Sequence, residues 1–250
     1  MKTGFLVFVV FSYFACVANA QTAAEKKLPW DYPVKPQTEK WEQLQTVKER
    51  IAILQIPEDV LSSLSTEDLT DVCMKYPMMT FDLFFYRPHD RGLDTLIKKF
   101  NGVRELLKRK DASKELLNWY GRAMQNLSFL DGSASDAAKG NYVLSIAAAS
   151  LLLSRCQLSN DTNKENYVEI VQHLIYGYEK LFAYPKAFNN SSFGASSNFY
   201  TRAKFITKID KKNLDEIPLK DKNTLFTSAE LNDQTIRAIN ELSYQIIQKK

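Results

Sequence analysis

The chain has 250 residues, 33 Lys and Arg against 29 Asp and Glu, a formal charge of +4 and 45% hydrophobic residues, the ordinary balance of a globular protein. With 8 Gly and 8 Pro against 15 Phe, 12 Tyr and 3 Trp, it is neither linker-rich nor disordered and has to build a core. So weak a basic excess leaves no nucleic-acid footprint: Lys98-Lys99, Lys108-Arg109-Lys110 and Lys211-Lys212 are interleaved with Glu and Asp and read as solvated helix faces.

Residues 1–20 read as a secretory signal peptide. Met1-Lys2 supplies a positive charge, Gly4 to Val17 is almost unbroken apolar sequence, and Ala18-Asn19-Ala20 is a small-x-small site placing cleavage between Ala20 and Gln21. A transmembrane anchor would want roughly 20 apolar residues and a stop-transfer flank, neither of which is present. A lipid-modified Cys16 is disfavoured because Tyr13-Phe14 stand where a lipobox wants small aliphatic residues. Cleavage leaves 32 basic against 29 acidic side chains and two cysteines, in an oxidising compartment. The chain is therefore expected to be exported.

Residues 21–37 form a polar leader and then an arm, Leu28 to Pro36, that Pro29, Pro33 and Pro36 hold extended, with Trp30 and Tyr32 as apolar anchors. Residues 38–250 are expected to form a single helical domain. From Thr38, Trp41, Leu44, Val47, Ile51 and Leu54 recur at helical spacing up to Pro57. Pro57 to Leu64 is a short helix, and Ser65 with Asp68 starts the next, stapled by Leu64 and Leu69 and carrying the stripe Leu69, Val72, Cys73, Tyr76. Met78 to Tyr86 is a dense apolar run read as helix; Leu93, Leu96, Ile97 and Phe100 lead to Asn101-Gly102, read as a C-cap pair. Asp111 opens a helix to Leu127, and Asp131-Gly132-Ser133 turns the chain into its most apolar helix, Tyr142 to Leu153. Those twelve residues are too few for a membrane span and are expected at the centre of the core. A Thr162/Glu165 capping box starts a helix with the stripe Val168, Val171, Leu174, Ile175, Tyr178, Leu181, Phe182. Residues 185–226 read as a polar, loop-rich insertion with a brief helix at Phe199 to Ile209, and Thr227 caps a last helix, Ser228 to Lys250. The expectation is an all-α domain of about eight helices in antiparallel hairpins, as a compact bundle or a short curved stack.

The chemistry is sparse. Only His89 and His173 remain as histidines, which excludes multi-histidine metal sites, and no metal or cofactor is expected. Glu169 and His173 are i, i+4 neighbours, and His89-Asp90 with Asp94 stands at a loop-to-helix junction; these five are the catalytic candidates, against the plainer reading of solvated surface and helix capping. No G-x-S-x-G elbow, phosphate loop, H-E-x-x-H or EF-hand occurs. Phe188, Phe193, Phe199 and Tyr200, interspersed with Asn and Ser, are candidate ligand-binding aromatics. Cys73 and Cys156 stand either as buried free thiols or as a disulfide closing a loop of about 80 residues, for which chain entropy allows on the order of 4.5 kcal/mol. Asn126, Asn160, Asn189 and Asn190 begin Asn-x-Ser/Thr sequons that matter only in a glycosylating cell.

The segments PWDYPVKP (Pro29 to Pro36) and IPEDVLSSLSTEDL (Ile56 to Leu69), with Phe100-Asn101-Gly102 and Arg104-Glu105-Leu106, resemble an uncharacterised group of secreted proteins of Bacteroidetes bacteria. The resemblance implies an exported or envelope location and carries over no catalytic residue. Two functional classes follow: a non-enzymatic helical module that binds an envelope or extracellular protein, peptide or glycan, or an envelope hydrolase using His89 or His173 with nearby carboxylates. The first expects an exposed apolar face; the second requires carboxylates from other elements to converge on a histidine. The sequence sets no oligomeric state.

Overall fold

A computed structural model describes residues 28–85, 89–156, 164–188, 193–210, 212–213 and 233–249. The signal peptide with its Ala20/Gln21 site, the Thr162 cap, and the Thr227 cap with Leu231 lie outside them. Within the described residues the chain is all-α, with no strand. Twelve α-helices appear: α1 Glu39–Gln43, α2 Val47–Ile53, α3 Glu58–Ser63, α4 Thr66–Met74, α5 Met79–Phe85, α6 His89–Lys99, α7 Asn101–Leu106, α8 Ala112–Gln125, α9 Asp136–Leu153, α10 Lys164–Leu181, α11 Phe193–Ile209 and α12 Asp233–Gln248. A 3-10 turn, Leu127–Leu130, links α8 to α9.

The extra helices come from breaks that local chemistry dictates. The stripe beginning at Trp41 is divided because Thr46 starts a second helix: its hydroxyl accepts from the Glu49 N–H while the Glu49 carboxylate accepts from the Thr46 N–H, a complete capping box. Ser65 caps α4 as expected, accepting from the Asp68 N–H at 3.1 Å. Asn101-Gly102 does not terminate α6 in a left-handed turn; both residues open α7. Asn101 instead binds the α2–α3 connection, its Oδ1 accepting from the Ile56 N–H at 3.0 Å and its Nδ2 donating to the Ile56 carbonyl at 2.7 Å. Gly102 is needed for room, since a Cβ there would lie 2.5 Å from the Phe100 ring and 2.8 Å from Ile56.

Helix α9 runs through the middle, buried from Ile146 to Leu153, and packs against α5, α8 and α11. Its apolar residues surround the whole axis, as a core helix requires. Helices α4, α7 and α8 cover one side of it; α10, α11 and α12 form the other, with α11 between α9 and α10. The arm docks across α4, where Tyr32 and Val34 are buried and the Tyr32 hydroxyl donates to the Val72 carbonyl at 3.0 Å. Each fully buried leucine of the stripes contributes on the order of 2 kcal/mol.

Two expectations need correction. The region 185–226 is not an insertion of loops over its first half: α11 begins at Phe193, and Gly194 to Ala203 are all buried. Its Ser, Asn and Thr residues are interior because distant partners satisfy them, as when the Thr201 hydroxyl donates to the Ser150 carbonyl at 2.8 Å. Phe182, placed in the buried stripe of α10, is 43% exposed, since it follows Leu181, where that helix ends.

Candidate functional site

Three of the sequence-nominated residues, Asp90, Asp94 and Tyr200, meet in one place. Asp90 lies in the first turn of α6, and its Oδ1 accepts from Arg155 Nη2 at 2.9 Å and from the Tyr200 hydroxyl. Arg155, just past the end of α9, also holds Asp94 Oδ1 at 2.8 Å. Lys204, one turn beyond Tyr200 on α11, stands 3.8 Å from Asp90 Oδ2. Burial, and then the bond to and charge of Asp90, push the Tyr200 hydroxyl well above its ordinary pKa, so it stays a proton donor. Two carboxylates and two cations thus tie the start of α6 to the end of α9 and the middle of α11. The cations are partly exposed, which limits each pair to roughly 0.5 kcal/mol. The arrangement is a clasp between three helices, held by ion pairs and a tyrosine hydroxyl. Arg155 and Lys204 were not nominated by the sequence, although Lys204 sits i+4 from Tyr200.

The other nominees are dispersed. His89 is the first residue of α6, and its side chain lies outside what the structure describes. His173 Nε2 is 3.9 Å from Glu169 Oε1 on the open side of α10, a pair within one helix rather than a convergence of elements. Phe193 opens α11, and its side chain is likewise outside the described part. Phe188 and Phe199 are not presented to ligands; both are buried around Tyr178, at ring-centroid distances of 5.8 and 5.1 Å. Long-range aromatic packing absorbs them, which a loop reading could not register. Cys73 and Cys156 are free thiols. Burial pushes the Cys156 thiol up to about 12 and Cys73 further, so neither is a thiolate at neutral pH. A cavity among the described residues, between Tyr120, Ser150, Phe188 and Asn198, has about 10 Å³, room for one water.

Two buried polar centres went unnominated. Arg202 on α11 is fully buried, and no carboxylate among the described residues pairs with it. Its Nε donates to Asn198 Oδ1 at 2.8 Å and its Nη1 to Asn240 Oδ1 at 2.9 Å and Ser243 Oγ at 3.1 Å, while Nη2 has no acceptor there. The guanidinium faces the rings of Phe199 at 4.7 Å and Tyr178 at 5.2 Å. Burial lowers its pKa to about 10, opposed by the nearby Tyr178, Tyr120 and Glu179, so the group remains charged at neutral pH. Asp82 on α5 is the second: Lys99 Nζ donates to its Oδ1 at 2.8 Å, while its Oδ2 and the Tyr76 hydroxyl are buried without partners among the described residues.

Burial raises the Asp82 carboxyl, against the lowering effect of Lys99. With the folded value above the unfolded one, the native state binds the extra proton, so stability is full below the unfolded value and falls as pH rises through the folded one. Asp82→Asn lacks this loss. Its stability relative to wild type should therefore improve as pH climbs from about 4 through the raised value. Urea titrations of both proteins at several pH values check this; a difference that stays flat would contradict it.

One surface stands apart. α1 and α2 are the only helices among the described residues with no buried side chain, although Trp41, Leu44, Val47 and Ile51 carry an apolar stripe. Val47 is 43% and Ile53 37% exposed, while Arg50 lies over the Trp41 ring at 4.9 Å. On α5, Phe81 and Phe85 stack at 5.2 Å, with Phe85 68% exposed. No protein family, curated protein or solved structure matches this chain.

Proposed function

We propose that the mature protein is an exported, non-enzymatic helical binding module of the bacterial envelope, which docks a protein partner on the apolar face of α1 and α2. The observation that carries this reading is the half-covered apolar surface of these two helices. Val47 and Ile53 are exposed and Trp41, Leu44 and Ile51 only half-buried, with Trp41 and Ile51 resting on the edge of the core, whereas every other helix among the described residues buries at least one side chain. Such a surface, formed by two short helices joined at Leu44 to Thr46, suits an apolar groove or an amphipathic helix of a partner. The leader supports export, and the protein surface chemistry favours a protein over a glycan, since the stripe offers few hydrogen-bonding groups.

The test is affinity capture from the native envelope with in-cell lysine crosslinking, comparing wild type with a Val47→Glu, Ile53→Glu double variant. Wild type should recover one stoichiometric protein crosslinked through Lys40 or Lys48. The double variant should recover at least about tenfold less, with a melting temperature within about 2 °C, because exposed positions tolerate charge. Equal recovery from both proteins would refute the reading.

A further inference from the structure

The arm is bound as a peptide ligand is bound. Tyr76 and Phe100 stack face to face at 4.0 Å with 4° between their planes, and Tyr32 packs on both, at 6.0 and 6.3 Å. Its hydroxyl donates to the Val72 carbonyl near the end of α4, at 3.0 Å, and Trp30 closes edge-on over the Tyr32 ring at 4.6 Å. Val34 of the arm is also buried. The flanking prolines restrict the free arm in advance, so little entropy is lost on docking, as when proline-rich segments enter aromatic grooves.

What joins this arm to the bundle is held weakly. From Lys35 to Ile53 no residue is buried, and the next fully buried side chain is Leu54. Gln37, between arm and α1, takes a left-handed φ of 69° that a non-glycine residue adopts only at a cost. The arm is therefore an anchored segment on a tether that has no fully buried side chain and rests on the bundle through the half-buried Trp41 and Ile51; its release would expose the Tyr76 and Phe100 rings at the edge of the core.

We propose that the slot also takes the arm of a second copy of this chain, forming an arm-exchanged dimer. An identical arm makes identical contacts in the partner's slot, and reciprocal exchange leaves both slots filled around a twofold axis. Against it stands only the advantage of the tethered arm, whose effective concentration is on the order of millimolar. The monomer thus holds at micromolar concentration, and exchange appears as the chain approaches millimolar. This inference does not rest on the proposed function, and either can fail alone.

The experiment uses the mature chain with benzoylphenylalanine in place of Trp30, prepared in light and nitrogen-15 forms, mixed, incubated and irradiated. Products joining the arm peptide to peptides bearing Val72, Tyr76 or Phe100 are then sorted by mass into same-label and mixed-label pairs. Mixed pairs should increase about fivefold or more between 10 µM and 1 mM. In a Tyr32→Ala version, still folded by circular dichroism, mixed arm-to-slot pairs should disappear. Same-label pairs alone at every concentration, or mixed pairs undiminished by Tyr32→Ala, would overturn the proposal.

Discussion

Asn198→Ala should destabilise the folded chain by about 3 kcal/mol, a large effect for so small a side chain. The side chain lost is small, so apolar burial contributes little. The cost arises because Asn198 Oδ1 is the acceptor for the Nε of Arg202, and Asn198 Nδ2 donates to the Leu174 carbonyl at 2.8 Å. Without them a buried guanidinium that already has one unpartnered nitrogen loses a second contact, and a carbonyl of α10 loses its side-chain donor. Arg202→Met acts differently. It removes the charge and its desolvation cost but strands the Asn198 and Asn240 oxygens, so its own penalty is smaller or comparable. Combining the two changes removes both halves of the contact, and the double variant should be more stable than the sum of the single effects by more than about 1.5 kcal/mol. Urea unfolding of the four proteins measures this coupling. Additivity within about 0.5 kcal/mol would mean that Arg202 is not held by Asn198 in solution.

Gly92→Ala and Gly121→Ala should move stability in opposite directions. Both glycines lie inside helices, where alanine gains about 1 kcal/mol in helix propensity. At Gly92 a Cβ would lie 2.5 Å from the Leu83 carbonyl oxygen, backbone of α5 that cannot rotate away. Relieving the clash means parting α5 from α6, which also disturbs the Asp82–Lys99 contact joining them, and the net loss should be about 3 kcal/mol. At Gly121 nothing stands within 4 Å, and alanine should stabilise by about 0.5–1 kcal/mol. For a chain of this length these values correspond to roughly 8 °C down and 2 °C up in melting temperature. A Gly92→Ala protein as stable as wild type would show that α5 and α6 are not so closely apposed.

The helical pattern was legible wherever it depended on neighbours in sequence. Ser65 announces α4 because a cap needs only a hydroxyl and an N–H three residues on, and the stripe Val168, Val171, Leu174, Ile175 is buried because 3.6-residue spacing puts those side chains on one face. The Thr46/Glu49 box was equally local and would have divided the first helix correctly, had the apolar stripe not suggested continuity. The candidate site was legible only in pieces. Asp90, Asp94 and Tyr200 could be singled out, but their meeting depends on Arg155, 65 residues along the chain from Asp90, and on the direct bond of Tyr200 to Asp90 across 110 residues.

Fold class and the buried stripes follow from the sequence by itself, because capping, propensity and amphipathic period act within a few residues. Tertiary structure decided which polar side chains are interior and which apolar ones are not. Ser196, Ser197 and Asn198 fall in the stretch read as loop, and Thr201 and Arg202 belong to no expected core stripe, yet all are buried, while Val47 and Phe85 stand in apolar stretches and are exposed. The reason is physical: a polar group can be interior once a distant partner satisfies it, and an apolar group remains outside when no element of the fold reaches it.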